Sequence, residues 1–263
     1  MTDVLKHNGR AWDQQSREGS SRWVQPVSAA AIARAREGDW SVILTPNKTV
    51  PRDWFPDRLQ GLEVLCLASG GGQQAPILAA AGAQVTSYDY SEVQLAKDAQ
   101  VARREGLALA TLRGDMAELS AFPDNRFDLI FHPVSNVFAV DVPTVWRECA
   151  RVLRPGGRLL AGFMNPDFFL FDHLSIEQGG PLEVRFRLPF SDVQDLTTAQ
   201  LASLLDAQTP LEFSHSLDDQ IGAQLEAGFL LKGFYEDRWD DAASPLNAYM
   251  PTSMATLGLM PCA

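Results

Sequence analysis

A chain of 263 residues, 46% hydrophobic and 21% charged, has enough apolar material to bury a full core, which excludes disorder for its bulk and fits one large domain or one domain with an embedded cap. The formal net charge of -11 repels polyphosphate and argues against a nucleic-acid partner, since the basic cluster Arg147, Arg151, Arg154 and Arg158 has the spacing of a solvated helix face. Three widely separated cysteines, Cys66, Cys149 and Cys262, with no C-x-x-C pair, suit a reducing compartment without a metal site; with no apolar signal core in residues 1–10 and no membrane-length apolar run, the expected location is the cytoplasm.

Residues 1–60 hold Trp12, Trp23, Trp40 and Trp54, several prolines and one Ala-rich helical stretch, Val27–Glu37. They read as an N-terminal lid whose aromatics either anchor it on the rest of the chain or face a substrate. From Leu62 onward short apolar runs alternate with longer amphipathic ones, the pattern of strand–helix units in a parallel sheet covered on both faces. The expected strands are Glu63–Ala68, Gln84–Tyr88, Ala110–Arg113, Leu129–His132 and Arg158–Phe163, with helices over Gln74–Ala81, Glu92–Glu105 and Val142–Leu153 between them. Residues 165–216, rich in Pro, Gly and Phe around the extended run Leu182–Pro189, read as a cap inserted over a ligand cleft. A helix over Leu217–Ala227, a strand over Phe229–Glu236 and a last strand near Ser253–Leu259 complete an α/β chain of seven strands in a domain spanning 61–263.

The turn after the first strand carries three consecutive glycines, Gly70, Gly71 and Gly72, which let the backbone bend sharply and approach a ligand closely. The helix that follows presents N–H groups suited to an anionic or carboxylate-bearing group. Gly70-Gly71-Gly72-Gln73-Gln74-Ala75 also satisfies the G-x-G-x-x-A pattern of dinucleotide-binding folds, so the turn alone does not choose a cofactor. Asp89, at the end of the second strand, is placed to accept both hydroxyl protons of a ribose, and both readings survive it. Gly114-Asp115-Met116, after the third strand, offers an acceptor and an apolar surface suited to the amine and face of an adenine, which hydride transfer does not require.

Together with Phe127-Asp128-Leu129-Ile130-Phe131-His132 and the run Arg151-Val152-Leu153-Arg154-Pro155-Gly156-Gly157-Arg158-Leu159, these motifs make the chain resemble the class I S-adenosylmethionine-dependent methyltransferases. The resemblance is to the small-molecule group that includes the ubiquinone and menaquinone enzymes, and it is best over 62–165. It implies a doubly wound, Rossmann-like, seven-stranded and mostly parallel sheet, with S-adenosylmethionine as cofactor. It further implies that Ala68, Ser69, Gly70 and Gly72 pass beneath the methionine portion of the cofactor, that Asp89 holds the ribose and that Tyr90 lies against the adenine. Gln94 would reach the ribose edge, Asp115 with Met116 would bracket the adenine amine, and His132 would sit nearest the sulfonium.

His132 is also the expected general base for an acceptor that must lose a proton, because imidazole titrates near neutrality; the alternative is a structural histidine bonded near Ser135. Two departures from the family pattern stand out. Cys66 replaces the usual acidic residue of the first strand, so that D-x-G-x-G-x-G reads Cys66-Leu67-Ala68-Ser69-Gly70-Gly71-Gly72. His132-Pro133-Val134-Ser135 stands where nucleic-acid and glutamine methylating enzymes carry an N-P-P-Y-like motif, which argues against those substrates. The expected acceptor is a small, partly aromatic or apolar molecule, and the expected assembly a monomer or homodimer. A non-catalytic module that binds the same cofactor and a nicotinamide-dependent oxidoreductase remain as alternatives.

Overall fold

The computed structural model describes residues 3–19, 21–240 and 242–262. Seven strands, β1 Glu63–Leu67, β2 Gln84–Asp89, β3 Leu109–Arg113, β4 Phe127–His132, β5 Leu153–Met164, β6 Leu230–Asp237 and β7 Ser253–Leu259, form one sheet in the order β3-β2-β1-β4-β5-β7-β6. β1 to β5 pair in parallel, whereas β7 runs antiparallel between β5 and β6. The central strand β1 is buried on both faces, and its side chains alternate between two cores, as the two-residue period of a strand requires. Val64 and Cys66 join one core, Leu65 and Leu67 the other.

Among the described residues the helices are α1 Val4–Glu18, α2 Ala29–Arg36, α3 Gln74–Ala80, α4 Glu92–Glu105, α5 Val142–Val152, α6 His173–Glu177, α7 Asp192–Asp195, α8 Thr198–Asp206 and α9 Ala223–Glu226. α5 shows why the local pattern was legible. Asp141 caps it by accepting from Thr144 N–H, and Val142, Val145, Trp146, Cys149 and Val152 fall on one buried stripe. β5 begins earlier than the expected Arg158, because Leu153 already pairs with Phe127; the Pro-Gly-Gly turn then bulges out before Leu129 meets Arg158.

The N-terminal sixty residues divide into two parts. Ile32, Val42, Leu44, Trp54 and Phe55 share a core with β1 and α3, so 29–59 covers one face of the sheet. α1 instead crosses the open end of the sheet, and nothing in the apolar periodicity announced it, since its buried residues are His7, Asn8, Ala11 and Ser16. Within 165–216 the chain forms α6, α7 and α8 around two small apolar clusters, one centred on Phe169 and Phe190 and one on Leu204, Leu211 and Phe213. The extended run 182–189 contributes a single bridge, Val184 to Phe171. The helix expected over 217–227 is a π-helical turn, Asp218–Gly222, running into α9. Among the described residues no helix is long and apolar enough to cross a membrane.

Candidate functional site

The carboxyl ends of β1, β2, β3 and β4 meet at one edge, where the strand order reverses and open α/β sheets bind ligands. A cleft of about 820 Å³ opens there, and its wall includes Ala68, Ser69, Gly70, Asp89, Tyr90 and Gln94, joined by Asp115 and Met116 from the loop after β3. Eight of the ten residues expected to touch the cofactor therefore converge on one cavity. Gly72 and His132 do not reach it.

The glycine turn is shaped by what packs behind it. A Cβ on Gly70 would lie 2.7 Å from Gln94 Cβ and 3.2 Å from an Asp89 carboxylate oxygen. Ala68 occupies the first glycine position of the family motif and takes φ +47°, a left-handed conformation that costs an L-residue about 1–2 kcal/mol. The N–H groups of the turn are already engaged: Gly70 donates to Asp89 Oδ2 at 3.0 Å, Gly71 to the Gln94 carbonyl at 3.1 Å, and Gly72 to Asp98 Oδ1 at 2.7 Å. The N–H groups of these three glycines are therefore satisfied within the chain.

Asp89 accepts a second hydrogen bond, at 2.9 Å, from Ser91 N–H, and burial pushes its carboxyl above the usual range against the pull of these bonds. Two polar atoms of the wall, Ser69 Oγ and Gln94 Oε1, are buried without a partner, as expected of groups that wait for a ligand. Asp115 is turned by a bond from Ala117 N–H to its Oδ1 at 3.0 Å. The preceding Gly114 is required because any Cβ would lie 1.8 Å from the Tyr88 hydroxyl. Tyr90 follows in the wall, with the Arg113 guanidinium 4.7 Å over its ring.

His132 is corrected from its expected place beside the reacting centre. It is 0% exposed, with Nδ1 2.9 Å from the Leu67 carbonyl and Nε2 2.6 Å from the Asn136 amide, which is itself bonded to Gln220. Burial lowers its pKa against the pull of the two oxygens its ring nitrogens face, the Leu67 carbonyl and Asn136 Oδ1. With both nitrogens bonded, it ties the end of β4 to β1 and the π-helical turn and cannot serve an acceptor as base.

One important residue was missed. Asp98, fully buried on α4, holds Gly72 N–H with one oxygen and accepts from Ser87 Oγ at 2.6 Å with the other. Burial raises its pKa to about 7. The signal was present as a charged residue on the buried stripe Gln94, Leu95, Asp98, Val101 and Ala102. The Cys66 thiol, where the family carries an acid, is wholly buried in the core and does not line the cleft.

α1 and the cap roof the cleft. Asn8 and Leu211 exchange two hydrogen bonds, 2.9 Å from Asn8 Nδ2 to the Leu211 carbonyl and 2.8 Å from Leu211 N–H to Asn8 Oδ1. His7 Nε2 lies 2.8 Å from the Thr209 carbonyl, and Trp12 meets Phe138 edge-on at 5.3 Å. At its other end α1 is fixed to α4, where Asp13 Oδ1 accepts from Ser91 Oγ at 2.6 Å and Val93 N–H at 3.1 Å. Gly9 lets the helix lie close, because a Cβ there would be 2.6 Å from the Tyr90 ring.

The cleft thus lies at the switch point of a seven-stranded sheet, with Asp89 from the end of β2 and Asp115 from the loop after β3 in its wall. The family described as "Methyltransferase domain" matches residues 65–161. The chain is 47% identical over 256 residues to the uncharacterized methyltransferase YbaJ of Bacillus subtilis, covering 97% of this chain and 98% of that protein. It is 35% identical over 101 residues to a sterol 24-C-methyltransferase, erg6, of Aspergillus fumigatus, covering 37% of this chain and 26% of the relative. In fold it is similar to an S-adenosylmethionine-dependent methyltransferase from Mesorhizobium loti, with a TM-score of 0.59 at 21% identity over 79% of this chain and 94% of the other. The chain belongs to the class I S-adenosylmethionine-dependent methyltransferases, and S-adenosylmethionine is its cofactor. The alternatives that the glycine turn left open, an oxidoreductase and a non-catalytic module, fall away.

Proposed function

We propose that the protein methylates a small-molecule acceptor inside the roofed cleft, with Ala68, Ser69, Gly70, Asp89, Tyr90, Gln94, Asp115 and Met116 holding the cofactor. S-adenosylmethionine supplies, when bound, a methyl group already activated on a sulfonium. The chain itself contributes alignment, exclusion of water and a destination for any proton the acceptor sheds. Asp89 is suited to ribose hydroxyls, and Asp115 keeps one oxygen outside its local turn for an exocyclic amine. Gly72, Asp98 and His132 work one layer below, fixing the turn and the strand ends that carry the contacts. The unpaired thiols of Cys66, Cys149 and Cys262 suit a reducing compartment, and we place the enzyme in the cytoplasm.

The roof carries the small-molecule reading. α1 is bonded to the cap at Asn8 and to α4 at Asp13, so among the described residues the chain's own helix lies over the cleft, which favours a small acceptor over a polymer. The test is a donor labelled on its methyl group, incubated with the protein and a cell extract that has been separated by dialysis. Label is expected in the dialysable fraction. Label in protein or nucleic acid instead would overturn the assignment.

A further inference from the structure

We infer that the acceptor is a small amine that enters the cleft as a cation, received by Glu212 and Glu177 against the aromatic wall of Trp12, Phe138 and Phe168. This inference rests on the reading of the cleft as the site of methyl transfer to a small molecule.

Glu212 lies in an extended stretch of the cap, and its neighbours define where it points. Leu211 and Phe213 are buried in the apolar cluster of the cap, so the side chain between them projects to the opposite side, which is the cleft. The backbone is held firmly. Glu212 N–H donates to Asp192 Oδ2 at 2.7 Å, Asp192 N–H returns a bond to the Glu212 carbonyl at 3.1 Å, and Phe213 N–H donates to the Val137 carbonyl at 2.8 Å. The carboxylate itself has neither a hydrogen bond nor an ion pair among the described residues. Glu177, at the end of α6, lines the same part of the cleft and is likewise unpaired.

The surroundings lack any positive charge to answer these acids. Among the described residues that line the cleft there is no Lys or Arg, and His173, stacked on Phe168 at 3.7 Å with Nε2 2.7 Å from the Phe168 carbonyl, is kept neutral by burial. Removal from solvent, with Asp192 and Glu177 nearby, raises Glu212 to about 8. A pocket lining that leaves a carboxylate in this condition is electrostatically incomplete. A cation within a few ångströms restores the charged form, whereas an anionic acceptor worsens the imbalance. A cationic acceptor also has to stand beside a sulfonium, and two carboxylates on the far wall offset that repulsion.

The same carboxylate gives the proton a destination. An ammonium ordinarily titrates near ~10 and carries no lone pair for attack. Glu212 takes one proton; the freed nitrogen pair forms the N–C bond as the C–S bond breaks, and the electron pair of that bond stays on sulfur. The products are a methylammonium and a neutral thioether, and Glu212 passes its proton to water.

The test is calorimetric titration of the full chain, saturated with S-adenosylhomocysteine, with 2-phenylethylamine, tryptamine and spermidine, and with the shape-matched 4-ethylphenol and 3-phenylpropionate. At least one amine is expected to bind and both non-amines to fail. Glu212→Gln is expected to weaken that binding about tenfold or more while the affinity for S-adenosylhomocysteine stays unchanged, with a smaller loss for Glu177→Gln. The inference is overturned if no amine binds the complex, if the phenol or carboxylate binds in their place, or if Glu212→Gln leaves amine affinity unaltered. It is equally overturned if that variant loses S-adenosylhomocysteine affinity, because Glu212 then serves the cofactor. Each of these outcomes leaves methyl transfer to a small molecule standing, which fails only if label enters a macromolecule.

Discussion

The two halves of the cleft are built by different means. The half proposed for the cofactor is made from the ends of adjacent parallel strands: each of its residues lies within a few positions of the strand that presents it, and the sheet sets their spacing. The half proposed for the acceptor is made by segments far apart in sequence, with α1 meeting the stretch 209–211 and closing on it through polar contacts such as Asn8 to Leu211. One half inherits its geometry from a periodic scaffold. The other is assembled from specific hydrogen bonds, and so is free to vary while the scaffold stays the same.

Changes confined to one half break this division most directly. Asp89→Ala removes the carboxylate that holds Gly70 N–H and that we propose binds the ribose, and it should lower the affinity for S-adenosylhomocysteine by about 30- to 100-fold in calorimetry. An unchanged affinity would detach Asp89 from the cofactor. Asn8→Ala should act on the opposite half: it leaves the Leu211 N–H and carbonyl unpaired in a buried place, at about 2–4 kcal/mol. The expected signs are a lower urea midpoint and faster amide exchange around 209–213; exchange that quickens around 68–72 to the same degree would show that the halves are not separable.

A smaller effect concerns pH. Asp98 carries its proton to about 7 in the folded chain, against 3.8 for the unperturbed group, so between those values the unfolded chain releases a proton that the folded one keeps. Its contribution to stability is present below about pH 4, declines as pH rises and is gone above about 7. Asp98→Asn can still accept from Gly72 with its oxygen and donate to Ser87 with its nitrogen, and it should flatten the slope of unfolding free energy over that window. Asp192, raised to about 6, and Glu212, raised to about 8, tilt the curve in the same direction, so the variant keeps a shallower decline. Identical slopes in the two proteins would remove Asp98 from this role.

Much of the fold was legible, for a reason visible in single elements. α4 was expected and found at Glu92–Glu105, because Ser91 caps one end, Gly106 closes the other with φ +65°, and the sequence between them has an apolar stripe. The convergence of Gly70, Asp89, Asp115 and Met116 on one cleft was legible because Gly, Asp and Met at strand ends leave local marks. α1 was not, since its buried face is His7, Asn8, Ala11 and Ser16 with Gly9 in the middle, and only the partners on the cap and on Tyr90 make those choices sensible. His132 was misplaced for a related reason. Its position at the end of β4 was right, but whether it faces the cleft or the interior depends on Asn136 and on Gln220, which lies 84 residues beyond Asn136. Glu212 and Asp98 share this character, since a lone acid becomes meaningful only when its surroundings are known.

The arrangement of α1 bears on how the enzyme can be dissected. Residues 65–161 are those that the methyltransferase domain family recognises, and they invite use as a minimal catalytic unit. That fragment would retain the glycine turn, Asp89 and Asp115, yet it would leave out β6 and β7, the covering of 29–59 and the whole of the roof. What remained would be an open ledge with its apolar faces uncovered. The boundaries of family recognition and the boundaries of a working vessel are different in this protein, and a helix of mostly polar residues marks where they part.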